Sequence, residues 1–185
     1  MSKLQLKVKR GELAKEFPLM KVAKYGDVGL DIPIALPYQD EYEQELKDYE
    51  DTCADNNVTP HPDVVNEIKH GSITINPGER CLVPTDIRIE LPYTHWASIE
   101  ARSSTSKKSI IVPKGVIDPG YRGELFAQLI NVGTKPVTVR HGDRLVQMIL
   151  HENIINDFSI EEVDELSESE RGESGFGSSG QSVIN

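Results

Sequence analysis

The sequence predicts an all-β fold, a sandwich or jelly-roll barrel interrupted by one helical excursion, on three observations. Short runs rich in Val, Ile and Leu recur at fairly even spacing along 185 residues. Eleven prolines and fourteen glycines punctuate them, which suits many tight connections. One stretch, 38–71, abandons the strand pattern for helical spacing.

Strand signals run in order through 4–9, 72–75, 81–83, 87–91, 96–100, 125–131, 136–140 and 145–151. They are separated by the breakers Asn76-Pro77-Gly78, Leu91-Pro92, Gly133-Thr134 and His141-Gly142-Asp143. Inside 38–71, Tyr42, Leu46, Tyr49 and Cys53 recur at helical spacing among eight acidic residues between Asp40 and Asp55, with Lys47 alone opposing them there. Thr59-Pro60-His61-Pro62 ends that helix, and Pro62 is placed to open a second, short one through Ile68. The insertion reads either as a solvated acidic excursion or as the seat of a protein partner. From 161 to 185 the chain turns acidic and then Gly- and Ser-rich, the composition of a flexible tail. The organisation is therefore a β domain, 1–160, carrying the helical insertion, followed by a tail at 161–185.

This length suits one domain with a real core. A net charge of −10 argues against nonspecific nucleic-acid binding, because an acidic surface repels a phosphate backbone. No apolar run approaches a membrane span, and residues 1–10 lack the core of a signal peptide. Cys53 and Cys81 show no metal-ligand spacing, so they read as reduced thiols of a cytoplasmic protein. The five histidines show no paired spacing that would hold zinc.

The most informative stretch is Gly115-Val116-Ile117-Asp118-Pro119-Gly120-Tyr121-Arg122-Gly123-Glu124. The pair Val116-Ile117, read as buried, delivers Asp118 to a turn marked by Pro119-Gly120. One carboxylate and one ring on the same side can hold a sugar and activate a water. Four further polar clusters keep it company: Gly26-Asp27-Val28-Gly29-Leu30-Asp31, Ala101-Arg102-Ser103-Ser104-Thr105-Ser106-Lys107, Gly142-Asp143-Arg144-Leu145-Val146-Gln147, and 171–180. Arg102 with its serines suits phosphate oxygens. Gln147 alternates with Val146 and Met148, which turns its amide outward. Asp31 follows a Gly29-Leu30 bend, and Asp143 with Arg144 reads as a structural pair.

Together the five clusters resemble the ordered motifs of the trimeric dUTP pyrophosphatase (dUTPase) family, from about Asp27 to Gly180 with one insertion. The resemblance implies a jelly-roll homotrimer that hydrolyses dUTP to dUMP and pyrophosphate with Mg2+, by water attack at the α-phosphorus. It makes Asp118 the water-activating base and packs Tyr121 beneath the deoxyribose. It gives phosphate binding to Arg102, Ser103, Ser104, Gln147, Arg171, Ser178 and Ser179, and a magnesium contact through water to Asp31. Phe176 stacks on uracil, whose edge is read by backbone groups around Val112, Gly115, Val116 and Ile117. The chain departs from the family pattern at Ser104 (usually Gly) and at Thr105-Ser106 (often Leu-Ala).

Two other readings compete. A dCTP deaminase shares Ile117-Asp118-Pro119-Gly120 and Arg102-Ser103-Ser104, but it needs a glutamate where this chain has Gln128, and glutamine cannot shuttle protons. A regulatory binding protein would keep the nucleotide pocket and grip a partner through 38–71.

Overall fold

A computed structural model describes residues 4–169, apart from Ala23 and Glu41. The chain divides into two compact units, Met1–Asn153 and Ile154–Asn185. In the first, β1 (Lys7–Arg10), β4 (Arg80–Glu90), β8 (Glu124–Asn131) and β6 (Ile110–Ile111) form one antiparallel sheet in the order β1-β4-β8-β6. A second sheet runs β2-β10-β5-β7, from β2 (Gly29–Ile32), β10 (Val146–Glu152), β5 (His95–Ala101) and β7 (Gly115–Ile117). A ribbon pairs β3 (Ser72–Ile75) with β9 (Val137–Arg140). The expected all-β jelly-roll-like architecture is present, with three α-helices among the described residues: α1 (Glu12–Lys15), α2 (Tyr42–Asp55) and α3 (Pro62–His70).

Alternation explains the core. On β4, Val83, Thr85, Ile87 and Ile89 point inward; on β8, Leu125, Ala127, Leu129 and Asn131 do so. Ile32, Ala97, Ile99, Val146 and Met148 line the second sheet's inner face. Asn131 is fully buried but satisfied: its amide donates to the Ile75 and Lys135 carbonyls and accepts from Gly133 N–H.

Two elements differ from the sequence reading. Pro84 does not end a strand, because β4 continues through a register shift between Pro84 and Arg88. Asp86, at φ +53°, is lifted out by this bulge, and its carboxylate accepts the N–H groups of Leu13 (3.1 Å) and Ala14 (3.3 Å) at the start of α1. The Gly29-Leu30 bend is instead a strand, with Asp31 opposite Gln147. A Cβ on Gly29 would overlap the Gln147 side chain, so glycine lets that amide lie across β2.

The insertion folds as two helices packed on each other, with Cys53 and Ile68 buried. Pro62 opens α3 as expected, but the helix runs on to His70, where Gly71 at φ +63° stops it. Gln39 satisfies the orphan carbonyls there, donating its amide to Glu67 (3.0 Å) and Ile68 (2.8 Å) and its backbone N–H to Lys69 (2.7 Å). No helix among the described residues is long and apolar enough to cross a membrane. The second unit contributes a 3-10 turn, Ile155–Asp157, followed by exposed irregular chain to residue 169.

Candidate active site

The hairpin around Asp118 hangs on one edge of the second sheet. β7 pairs with β5 through Ile99↔Gly115, Ser98↔Val116 and Ala97↔Ile117. Val116 is 61% exposed and Ile117 half-buried, so the expected buried pair is not formed: on a three-residue edge strand, one face looks at solvent. Asp118 opens a tight turn, its carbonyl accepting Tyr121 N–H at 3.0 Å, with Pro119 buried beneath. Its carboxylate is exposed and has no hydrogen-bond partner among the described residues. Tyr121 donates its hydroxyl to the Glu124 carbonyl (2.8 Å). Its ring lies so close over Gly123 that a Cβ there would overlap it. Arg122 closes the turn, donating to the Pro119 (2.7 Å) and Tyr121 (2.9 Å) carbonyls. Val112 packs half-buried against the core.

The second polar cluster joins three chain segments. Arg102 Nε sits 2.6 Å from Asp31 Oδ1, and its Nη1 donates to the Arg144 carbonyl at 2.9 Å. The Arg144 guanidinium lies 3.6 Å from the other Asp31 oxygen. Asp143 and Arg144 are therefore not the pair expected from their adjacency: Asp143 accepts Arg140 N–H within its own turn (3.0 Å), and Arg144 turns to Asp31. Gln147 is half-buried and donates to the Ala101 carbonyl at 3.0 Å. Ser103 and Ser104 stand exposed in a turn. Thr105 is buried, its hydroxyl donating to the Leu145 carbonyl (2.5 Å) and its N–H to the Arg102 carbonyl (2.9 Å). The departure from Leu at this position thus keeps the loop seated, by a hydrogen bond in place of apolar packing.

One carboxylate facing two guanidiniums is a seat for an anion, not for a bare cation. Mg2+ fits Asp31 only as the companion of a bound polyphosphate, through the water it retains.

The sheet register separates the two clusters. Asp118 follows Ile117, opposite Ala97, and so emerges near the His95 end of β5, while Arg102 follows Ala101 at the other end. Six residue steps along the strand separate them, roughly 20 Å at the usual rise. One chain does not bring Asp118 and Arg102 to the same phosphate.

Two groupings escape sequence reading. Lys114 of the hairpin pairs with Glu100 at 3.2 Å and lies over the Trp96 ring at 5.4 Å. The Ser98 hydroxyl (2.7 Å) and Lys114 hold the Glu100 carboxyl below its usual range. The period-2 alternation of Trp96, Ser98 and Glu100 is visible in the sequence, but nothing local names Lys114 as their partner. Glu16, His70 and His141 also converge, their ligand atoms within 4.8 Å of one another, although the histidines are far apart in sequence. Arg171, Phe176, Ser178 and Ser179 lie outside the described residues.

A β-barrel with an arginine-lined anion seat and a separate free carboxylate is the class this geometry defines. The dUTPase family model matches residues 69–180, beginning as the insertion ends. The deoxyuridine 5'-triphosphate nucleotidohydrolase of Caldanaerobacter subterraneus subsp. tengcongensis is 34% identical over 178 residues, 95% of this chain and 97% of that one. Among solved structures, a point mutant of the Staphylococcus bacteriophage 80alpha dUTPase with dUpNHpp superposes with a TM-score of 0.66 at 21% identity, covering 96% of this chain and 99% of that one. A mutant dUTPase from phage phi11 of S. aureus, described with a structural Mg(II) ion, gives 0.58 at 16% identity over 90% and 99%. The chain belongs to the dUTPase family.

Proposed function

We propose that this chain hydrolyses dUTP to dUMP and pyrophosphate. One observation carries the reading: Asp118 keeps a free carboxylate in a chain that aligns along nearly its whole length with a deoxyuridine 5'-triphosphate nucleotidohydrolase. With its lone pairs unengaged, Asp118 accepts a proton as water attacks the α-phosphorus in line, and pyrophosphate leaves. Arg102, Ser103, Ser104 and Gln147 bind the phosphate chain. Asp31 holds Arg102 in place before substrate arrives, so little reorganisation is needed. Asp31 would hold Mg2+ through water when the ion arrives with the triphosphate, and the ion would supply charge neutralisation. The Tyr121 ring, pinned by its hydroxyl and by the closeness of Gly123, leaves no room for a ribose 2′-hydroxyl. Backbone groups from Val112 to Ile117 read uracil, with Phe176 stacking on it; Arg171, Ser178 and Ser179 complete the phosphate contacts.

The working unit is a homotrimer in this reading. The separation of Asp118 from Arg102 along β5 supports sites built from more than one chain. So does an apolar outer face on the first sheet, where Leu82, Pro84 and Phe126 lie around Gln128, with Leu82 61% exposed. Steady-state turnover with Mg2+ across dUTP, dTTP, dCTP and UTP tests the function, and strong preference for dUTP is expected. Comparable turnover of dCTP with release of ammonia would overturn it in favour of a deaminase. An active monomer in sedimentation would overturn the trimer.

A further inference from the structure

We propose that His70, delivered by the insertion, is a positioning residue for the phosphate loop, and that it holds its place by taking a proton opposite Glu16. The inference rests on reading the Arg102 loop as the phosphate site.

The mechanical connection is continuous. From α3, Asn66 donates to the His141 carbonyl (2.9 Å), Glu67 pairs with Arg140 (3.1 Å), and the His70 ring stacks on His141 with centroids 3.6 Å apart. Directly after this turn, the carbonyls of Arg144 and Leu145 hold Arg102 and Thr105. The insertion grips the turn, and the turn seats the loop.

The chemistry at the grip decides for a proton. His70 Nδ1 lies 2.9 Å from the Leu36 carbonyl, which only accepts, so Nδ1 carries a hydrogen. His141 Nδ1 accepts Leu36 N–H at 3.1 Å, so the hydrogen of its neutral ring sits on Nε2. Both Nε2 atoms face Glu16 Oε2, at 3.6 and 3.7 Å, and both histidine side chains are at least 98% buried. Tyr38 already donates to the other Glu16 oxygen at 2.5 Å and stacks on His70. A neutral His70 would turn a lone pair toward a carboxylate oxygen. One added proton converts that repulsion into the attraction of an ion pair at 3.6 Å. A second proton, on His141, is opposed: burial, and then the charge of His70, push that imidazole below its ordinary value. Around the trio, Tyr42 stacks on Tyr38, Glu12 acts on Tyr38, and Arg140 is engaged by Glu67. A metal suits the trio poorly, because the hydrogen on His141 Nε2 blocks its lone pair. Rings parallel to 4° also cannot aim both Nε2 atoms at one ion.

The grip therefore rests on the Nδ1 hydrogen that His70 gives to the Leu36 carbonyl, the proton its Nε2 turns toward Glu16, and the Asn66 hydrogen bond. The test measures KM and kcat for dUTP from about pH 6 to about pH 8 in the wild type, His70→Phe, Glu16→Gln and Asn66→Ala, with circular dichroism and oligomeric state as folding controls. In the wild type, KM is expected to rise about fivefold more across this range than in His70→Phe or Glu16→Gln, with kcat moving less. His70→Phe keeps a stacked ring without the proton, and Glu16→Gln alters only a half-exposed side chain, so folding losses do not mimic this result. Asn66→Ala is expected to raise KM equally at every pH. Identical KM profiles in the wild type, His70→Phe and Glu16→Gln would overturn the proposal. So would stoichiometric zinc binding by the wild type that His70→Phe abolishes. Arg102→Gln separates the two layers. If it leaves KM unchanged, the phosphate-loop reading fails; if it raises KM while the His70 profiles coincide, only the coupling fails.

Discussion

The two ends of β5 solve opposite problems. At the Ala101 end, the long polar side chains are already engaged: Arg102 on Asp31, Arg144 on Asp31, Gln147 on a backbone carbonyl. At the His95 end, Asp118 is left with nothing on its carboxylate among the described residues. Groups that bind phosphate gain from being held in place beforehand, since their task is to stay put while charge develops on the ligand. A general base gains from free lone pairs, since a carboxylate tied up in hydrogen bonds loses its appetite for a proton. In the mechanism proposed above, the same strand serves both tasks because it keeps them far apart.

The largest effect should come from the open end. Asp118→Asn preserves shape and a hydrogen bond but removes the base, and kcat should fall by about two to four orders of magnitude. Binding of a non-hydrolysable dUTP analogue, measured by calorimetry, should persist. At the engaged end, Arg102→Gln should raise KM by about ten- to a hundredfold, the worth of a hydrogen bond to a charged group. The two variants also test whether the ends meet only across chains. Unfolded together and refolded as mixed oligomers, they should recover about a quarter of wild-type activity, because each site then draws its two ends independently. No recovery would place both ends in one chain's site. Asp31→Asn should cost only about threefold in KM, by loosening Arg102 instead of removing it.

The smallest effect lies away from both ends. Glu16 accepts the Tyr38 hydroxyl, and this hydrogen bond, with minor help from burial, raises that phenol from 10.0 to about 12. Folding therefore favours the neutral phenol. The contribution of this contact is intact below the ordinary value of 10.0 and is lost as pH rises through about 12. In an alkaline absorbance titration, one of the six tyrosines should ionise late, and Glu16→Gln should restore it to the common wave.

What was legible in the sequence was whatever repeats locally. The strand at 72–75 and the helix opening at Pro62 were read from alternation and from proline's fixed φ, and both stand as expected. The apolar runs at 81–83 and 87–91 predict two strands, and only the bulge between Pro84 and Arg88 explains why they form one. β2 was hidden because four residues led by a glycine carry too little periodicity. Asp31, Arg102 and Gln147 were each legible as polar residues on a turn or strand. Their mutual contacts were not, since these depend on which strands become neighbours. Glu16, His70 and His141 come from three segments that share no motif, so no spacing rule could join them.

Gln39 and Lys69 meet through a backbone hydrogen bond of 2.7 Å, so the chain leaves the barrel and returns to it at a single point. The thirty or so residues between them are a closed excursion whose length the surrounding strands do not sense, and lengthening such a loop costs only slowly growing closure entropy. The first helix of that excursion can therefore be shortened, recomposed or exchanged without disturbing strand register, provided the segment still ends in α3. The barrel imposes its demands at Asn66, Glu67 and His70, and leaves Tyr42–Asp55 free to diverge.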